Sequence, residues 1–145
     1  MRTLFTALLL TGASVPAAAE EWYYVSDGED GILFADADSV RQAGEAVAVL
    51  GFLGSAEPLD MVGQPPVAIW YWISQFEFLC PSGQYRVTRT DSYNEHHLLE
   101  FSTDHSDAWT PVPAGSFVEG LHEFACDGAR LRPVFSSDLG HWDVP

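Results

Sequence analysis

The sequence predicts an α+β fold, in which a single antiparallel β-sheet of about six strands carries one C-terminal helix packed on one face. Short runs of aromatic and β-branched residues, separated by turn residues, are typical of strands. Residues 67–80 alternate with the period of two that a half-buried strand shows. Ser116 and Glu119 form a capping-box pair, which predicts a late helix. One helix over one sheet is a two-layer arrangement with a single core.

Composition narrows the classes of function. The chain has 145 residues, with 6 Lys plus Arg against 21 Asp plus Glu, and its formal net charge is −15. A hydrophobic fraction of 47% excludes wholesale disorder. Because the chain has no lysine and few arginines, it cannot neutralise a row of phosphates, so we expect no nucleic-acid partner and no attachment to an anionic membrane surface.

The first residues have the pattern of an export signal. Arg2 precedes an apolar stretch, and three alanines at positions 17–19 suit a cleavage site. We therefore divide the chain into a signal peptide at 1–19, a folded domain at 20–129 and a C-terminal tail at 130–145. The apolar stretch is less than half of the ~20 residues that a membrane-spanning helix needs. Without a cysteine at the cleavage site to carry a lipid, we expect an exported protein with no membrane anchor, either periplasmic or secreted, and association with the cell surface stays open.

The first half of the domain reads as a hairpin followed by a third strand. Residues 21–26 and 31–36 predict two strands that an acidic turn joins. Residues 36–44 predict a single helical turn, because side-chain oxygens at its start can cap it and Gly44 can end it. A strand at 45–54 follows, and three prolines predict a loop at 58–66.

The strand at 67–80 separates two faces most clearly. Alternation places one set together on a face that we expect to be core and to receive the helix, namely Trp70, Trp72, Phe76, Phe78 and Cys80. Tyr71, Gln75 and Glu77 share the opposite face. This second face offers aromatic area beside polar groups, which suits a protein partner.

The remaining elements are two strands and the helix. A turn at 81–83 leads to a predicted strand at 84–90, and a further strand is predicted at 96–103. In this last strand, the side chains that point into the core are either the odd-numbered or the even-numbered residues. The odd set, His97, Leu99 and Phe101, is the more apolar of the two; the even set is His96, Leu98 and Glu100. The helix begins at Phe117 and ends at Gly128, and its predicted buried stripe is Phe117, Leu121, Phe124 and Ala125.

The two cysteines predict a disulfide. Cys80 and Cys126 are an even pair in an exported chain, where oxidising conditions favour bonding. The alternative, a nucleophilic cysteine assisted by one of the five histidines, needs a free thiol.

A group of histidines and acids has the residue types of a zinc or nickel site, namely His96, His97, Glu100 and His105. Its order, His-His-x-x-Glu on a predicted strand, differs from the helical zinc motifs. We therefore interpret it as a solvated edge-strand pair, with metal binding as the alternative. Calcium-loop, nucleophile-elbow and phosphate-loop patterns do not occur. We expect no enzyme activity and no cofactor.

Four motifs in order carry a resemblance to a known family. They are Trp22, the stretch at 36–44, Cys80 followed by Tyr85 and Arg86, and the stretch at 109–116 that leads to Cys126. With this set the chain resembles the surface-adhesin protein E-like proteins exported by Gram-negative bacteria. The resemblance implies a small antiparallel sheet with a C-terminal helix, and adhesion to extracellular-matrix proteins of a host.

These observations favour an exported, non-enzymatic binding module that acts by its surface. We expect a protein partner, including a second copy of the chain as a homodimer, to engage Tyr71, Gln75 and Glu77 or an open sheet edge. The alternative is a periplasmic metal-binding or envelope structural protein that uses the histidine cluster.

Overall fold

The computed structural model describes residues 21–28, 31–61, 67–130 and 132–133. Eight strands form one open sheet: β1 (Trp22–Gly28), β2 (Gly31–Ala43), β3 (Ala46–Met61), β4 (Val67–Leu79), β5 (Gln84–Tyr93), β6 (Leu99–Asp104), β7 (Thr110–Pro111) and β8 (Arg132–Pro133). Their order is β6-β5-β4-β3-β2-β1-β8, and β7 pairs with β5 beside β6. The expectation of about six strands was too low, because β7 and β8 have two residues each and no alternation to detect.

Neighbouring strands pair antiparallel throughout the described sheet. Sequential hairpins join β1 to β2, β2 to β3, β3 to β4, β4 to β5 and β5 to β6. The turn after β4 is a 3-10 turn at Cys80–Ser82, which ends at Gly83 in the left-handed region with φ 59°. This confirms the predicted turn and places β5 beside β4.

The predicted helical turn at 36–44 is wrong. β2 runs through residues 36–43, with a register shift between Asp36 and Arg41 against β3, and Gly44 lies in the turn that follows. The side-chain oxygens act inside this irregularity: Asp36 Oδ1 accepts from the Asp38 N–H at 2.9 Å, and Ser39 Oγ accepts from the Leu50 N–H at 2.8 Å. They replace ladder bonds that the shift breaks, because a displaced strand leaves main-chain groups unpaired.

The loop predicted at 58–66 begins later than expected. β3 continues to Met61, and Leu59 pairs with Ile69 of β4. A register shift between Gly54 and Leu59 precedes this pairing. Pro58 is therefore part of a strand, at an irregularity of the kind where a sheet tolerates proline. Residues 62–66 lie outside the described part of the chain.

The helix α1 (Phe117–His122) continues as a π-helical turn at Glu123–Asp127. Its start is as predicted: Ser116 Oγ accepts from the Glu119 N–H, and Glu119 reaches back to accept from the Gly115 N–H at 2.7 Å. Gly128, with φ 70°, ends it. The buried stripe is Val118, Leu121 and Phe124, whereas Phe117 is 45% exposed.

The main core lies between this helix and one face of the sheet. Val118, Leu121 and Phe124 pack in one cluster with Phe76 and Phe78, as the alternation of β4 predicts. Trp70 departs from that prediction, because it packs against a second cluster made by Trp22, Phe34, Phe52 and Tyr71. The predicted docking of the helix is therefore right for the phenylalanines and wrong for Trp70.

Cys80 and Cys126 form the predicted disulfide. Their Cα atoms are 5.6 Å apart, and 46 positions separate them in sequence. Neither cysteine is free, so a nucleophilic thiol is not available. The bond ties the end of β4 to the π-helical turn.

The predicted signal peptide at 1–19 lies outside the described residues, as does the predicted tail beyond Pro133. Within the described ranges, no helix is both long enough and apolar enough to cross a membrane.

Candidate partner-binding face

The sheet face opposite the helix has two different halves. Tyr71 belongs to the first half and is only 2% exposed. Its ring stacks on Phe52 at 4.9 Å and on Tyr93 at 4.8 Å between centroids, and its hydroxyl lies 3.2 Å from His97 Nδ1. Burial, followed by the influence of Tyr93, raises the pKa of Tyr71 to about 12. The exposed position expected for Tyr71 is therefore wrong.

Tyr71 is buried because aromatic rings cross the sheet side by side. Phe52 lies 5.9 Å from both Trp22 and Phe34, so rings from β1 to β5 form one continuous row with Tyr71 and Tyr93. Aromatic rings at these separations attract each other beyond the area that they bury. This half of the face is a second core.

The other half is polar and holds Gln75 and Glu77. Glu77 Oε2 accepts from Arg86 Nη2 at 2.6 Å and from Arg86 Nε at 2.8 Å. The guanidinium carbon of Arg86 also lies 4.5 Å from the centroid of the Trp109 ring. Arg86 is thus held between a carboxylate and an aromatic ring, and both contacts fix the position of its guanidinium group.

Two more arginines extend this half. Arg89 donates to Asp91 at 3.1 Å and to Ser102 Oγ at 3.1 Å, and it lies 3.8 Å from Asp104. The hydrogen bond and the charge of Asp91 raise the pKa of Arg89. Arg41 of β2 reaches across to Gln75 Oε1 at 3.4 Å.

We call this surface the arginine face, defined by Arg41, Gln75, Glu77, Arg86, Arg89 and Trp109. It holds three of the six basic residues of a chain whose formal net charge is −15. Its guanidinium groups present several N–H donors beside carboxylate acceptors. The arrangement can therefore recognise carboxylates, amides and main-chain carbonyls of a protein partner.

Simple alternation along β5 puts Arg86 and Arg89 on opposite faces, so the sequence does not reveal the arginine face. The register shift in β4–β5 pairing places Gln75 opposite Arg89 and Glu77 opposite Arg86. Since Gln75 and Glu77 share a face, both arginines share it as well. The sequence feature that could have indicated the arginine face is the concentration of its few basic residues in strands.

The residues of the proposed metal site have separate partners. His96 lies 3.7 Å from Glu95, and His97 contacts Tyr71. Glu100 accepts a hydrogen bond from Asn94, and His105 Nε2 is 3.1 Å from Thr90 Oγ1. Among the described residues, no group of three or more His, Cys, Asp or Glu side chains could hold a metal ion.

The strand predicted at 96–103 begins later, at Leu99. Asn94 Oδ1 accepts from the N–H groups of His96 and Leu98, which makes a turn out of the first residues. His97 adopts a left-handed conformation with φ 59° in that turn. Leu99 and Phe101 are exposed, so the inward set expected for this strand is wrong for both.

Comparison with known proteins gives one result on the family. No curated protein matches the chain. The family model described as surface-adhesin protein E matches residues 22–127, which include β1 to β7, the helix and both cysteines. That description indicates a surface-adhesin role. The match covers well over half of the sequence, and the chain belongs to the surface-adhesin protein E family.

Proposed function

We propose that this protein is an exported, non-enzymatic adhesion module that binds extracellular-matrix proteins of a host through the arginine face. The observation that carries the proposal is the grouping of Arg41, Arg86 and Arg89 on the sheet side away from the helix. Arginine and tryptophan are enriched at the energetic centres of protein interfaces. Membership of the adhesin family supports the same class of function.

The contacts within the arginine face suit a protein ligand. Glu77 holds Arg86, and Asp91 holds Arg89, so both side chains are oriented before a partner arrives. Each guanidinium has five N–H donors, and the intramolecular contacts use only some of them. Orientation in advance lowers the side-chain entropy that binding costs.

The proposed location is outside the inner membrane. The signal pattern at 1–19 supports export, and the family supports the cell surface. A periplasmic or a freely secreted protein would carry the same signal. Fractionation of cells, with detection of the mature chain in periplasm, surface washes and medium, distinguishes these locations.

The test is binding of the mature chain, residues 20–145, to immobilised fibronectin, laminin and type IV collagen. We expect the Arg86→Ala/Arg89→Ala double variant to reduce binding at least about tenfold, which corresponds to about 1.4 kcal/mol. Arg130→Ala is the control for the loss of an arginine outside the arginine face, because Arg130 lies over the Phe124 ring near the helix. A melting temperature close to that of the parent is required of each variant.

Two results would contradict the proposal. A parent chain that binds none of the matrix proteins refutes matrix adhesion. If the double variant retains full binding and Arg130→Ala loses it, the binding surface lies on the helix side and not on the arginine face. A Gln75→Ala/Glu77→Ala variant tests the originally predicted residues in the same assay, and sedimentation of each variant measures self-association.

A further inference from the structure

Among the described strands, β6 is the last of the sheet, and no described strand lies along its outer edge. Within the described ranges, β6 pairs only with β5. Arg89 of β5 lies opposite Asp104 of β6. The His105 N–H, one residue after Asp104, donates to the carbonyl of Thr88, one residue before Arg89, at 2.9 Å. Arg89 and Asp104 are therefore a non-hydrogen-bonded pair. Main-chain bonding alternates along an antiparallel ladder, so the N–H and C=O groups of Ser102 and Asp104 point away from β5.

Exposed apolar side chains concentrate at the same edge. Five large hydrophobic residues of the described chain are exposed, and three of them lie within four positions here. They are Leu98 at 59%, Leu99 at 52% and Phe101 at 43%. An edge strand with unpaired main-chain groups and apolar side chains is a template for another strand.

The charge at this edge argues against a second copy as the added strand. If Ser102 of two copies paired with each other in the antiparallel sense, Glu100 of each copy would lie opposite Asp104 of the other. Like charges directly opposite each other destabilise a strand pair. Asp104 is 86% exposed, with Arg89 at 3.8 Å as its cationic neighbour, and that arginine also serves Asp91.

The same charge favours a basic strand. Glu95 and Asp107 are exposed on either side of β6, and Glu100 and Asp104 lie on it. A segment that alternates Lys or Arg with apolar residues would place its cations on the face of these carboxylates and its apolar groups on the other face, beside Phe101.

We propose that β6 is a strand-addition site, which takes an extended protein segment of alternating basic and apolar residues as a further strand of the sheet. This inference deepens the adhesion function proposed above, since it names the chemistry of a partner segment. Main-chain bonds to Ser102 and Asp104 give the segment its direction and register. The carboxylates select its charge.

The probe is a blocked synthetic peptide of alternating lysine and valine, long enough to span β6, titrated into the mature chain. The matched peptide has glutamate in place of lysine. We expect binding of the lysine peptide only, weakened by salt, and slower hydrogen exchange of the Ser102 and Asp104 amides when it binds. Equal binding of both peptides, or unchanged exchange at both amides, overturns the proposal.

Two variants separate main-chain pairing from charge. Asp104→Pro removes an outward N–H together with the carboxylate, and proline is tolerated on an edge strand whose N–H faces solvent. Asp104→Asn removes only the charge. We expect a loss of at least about tenfold for proline and of at most about fivefold for asparagine, the size typical of an exposed ion pair. Equal affinities for Asp104→Pro and the parent refute strand addition; should the proline variant not fold, the amide exchange of the parent decides.

The outcomes also distinguish this inference from the adhesion function. Peptide binding at β6 by a chain that binds no matrix protein leaves the inference standing and removes the function. Matrix binding that the arginine-face variant loses and Asp104→Pro retains, without peptide binding, leaves the function standing and removes the inference. Slow exchange of both amides without peptide, increasing with protein concentration, would show that a second copy occupies β6 and would overturn the proposal.

Discussion

Removal of the disulfide should destabilise the protein mainly through its unfolded chain. The change is Cys80→Ser together with Cys126→Ser. The bond closes a loop across 46 positions, and for a loop of this length the chain-entropy relation gives about 4 kcal/mol. The folded helix keeps other attachments, because Val118, Leu121 and Phe124 are buried against the sheet. We therefore expect the native structure to persist.

The assay is urea unfolding of the oxidised parent, the reduced parent and the double variant. Tryptophan fluorescence and near-ultraviolet circular dichroism monitor the transition. We expect the free energy of unfolding to fall by about 4 kcal/mol in the variant. Reduction of the parent should produce the same loss, since it breaks the same bond. Native spectra before the transition should agree for all three samples.

Two results would refute this reasoning. A loss below about 1 kcal/mol would mean that the unfolded chain is already compact around these positions. A changed native near-ultraviolet spectrum would mean that the disulfide, and not the packing of the helix, holds the helix on the sheet. The same spectrum in Leu121→Ala, which keeps the disulfide, provides the comparison.

Three further changes test the packing. Leu121→Ala should lower the free energy of unfolding by about 2–5 kcal/mol, measured by urea denaturation, because Leu121 is 0% exposed in the core. A loss below about 0.5 kcal/mol would show that the helix does not pack on the sheet at Leu121. Gly120→Ala should lower the free energy of unfolding by about 1–3 kcal/mol, because the added Cβ would lie 2.8 Å from Val25 Cγ1. This loss should appear in thermal and urea melts despite the better helix propensity of alanine. A stabilised variant would contradict the close approach of Val25. The phenol of Tyr71 has its pKa raised from 10.0 to about 12, so the stability that it contributes is present below pH 10 and lost as pH rises to about 12. Phenolate absorbance of the parent against Tyr71→Phe measures this titration, and ionisation of Tyr71 near pH 10 in the folded protein would contradict its burial.

Local chemistry predicted much of the fold. The alternation in β4 identified a strand with Phe76 and Phe78 towards the helix, because successive strand residues point to opposite faces. Ser116 and Glu119 identified the start of the helix, because a capping pair acts over three residues. The pairing of Cys80 with Cys126 needed only an even count and an exported chain.

Long-range pairing decided what local patterns left open. Ser39 looks like part of a helix cap in the sequence, yet its hydroxyl accepts from Leu50 on the next strand. Tyr71 looks like a surface residue beside Gln75, yet rings from neighbouring strands bury it. Neither outcome can be obtained from residues close in sequence, because the partners come from other strands.

The amino-acid order determined the alternation of the strands, the cap of the helix, the number of cysteines and the acidic charge of the chain, since each depends on residues a few positions apart or on composition. The tertiary structure alone decided the arginine face and the open edge at β6. Arg86 and Arg89 share a face because one register shift in β5 cancels their alternation. β6 is an edge because of where it lies in the order of the sheet. Register and strand order arise from contacts between distant segments, and these contacts form only when the whole sheet packs.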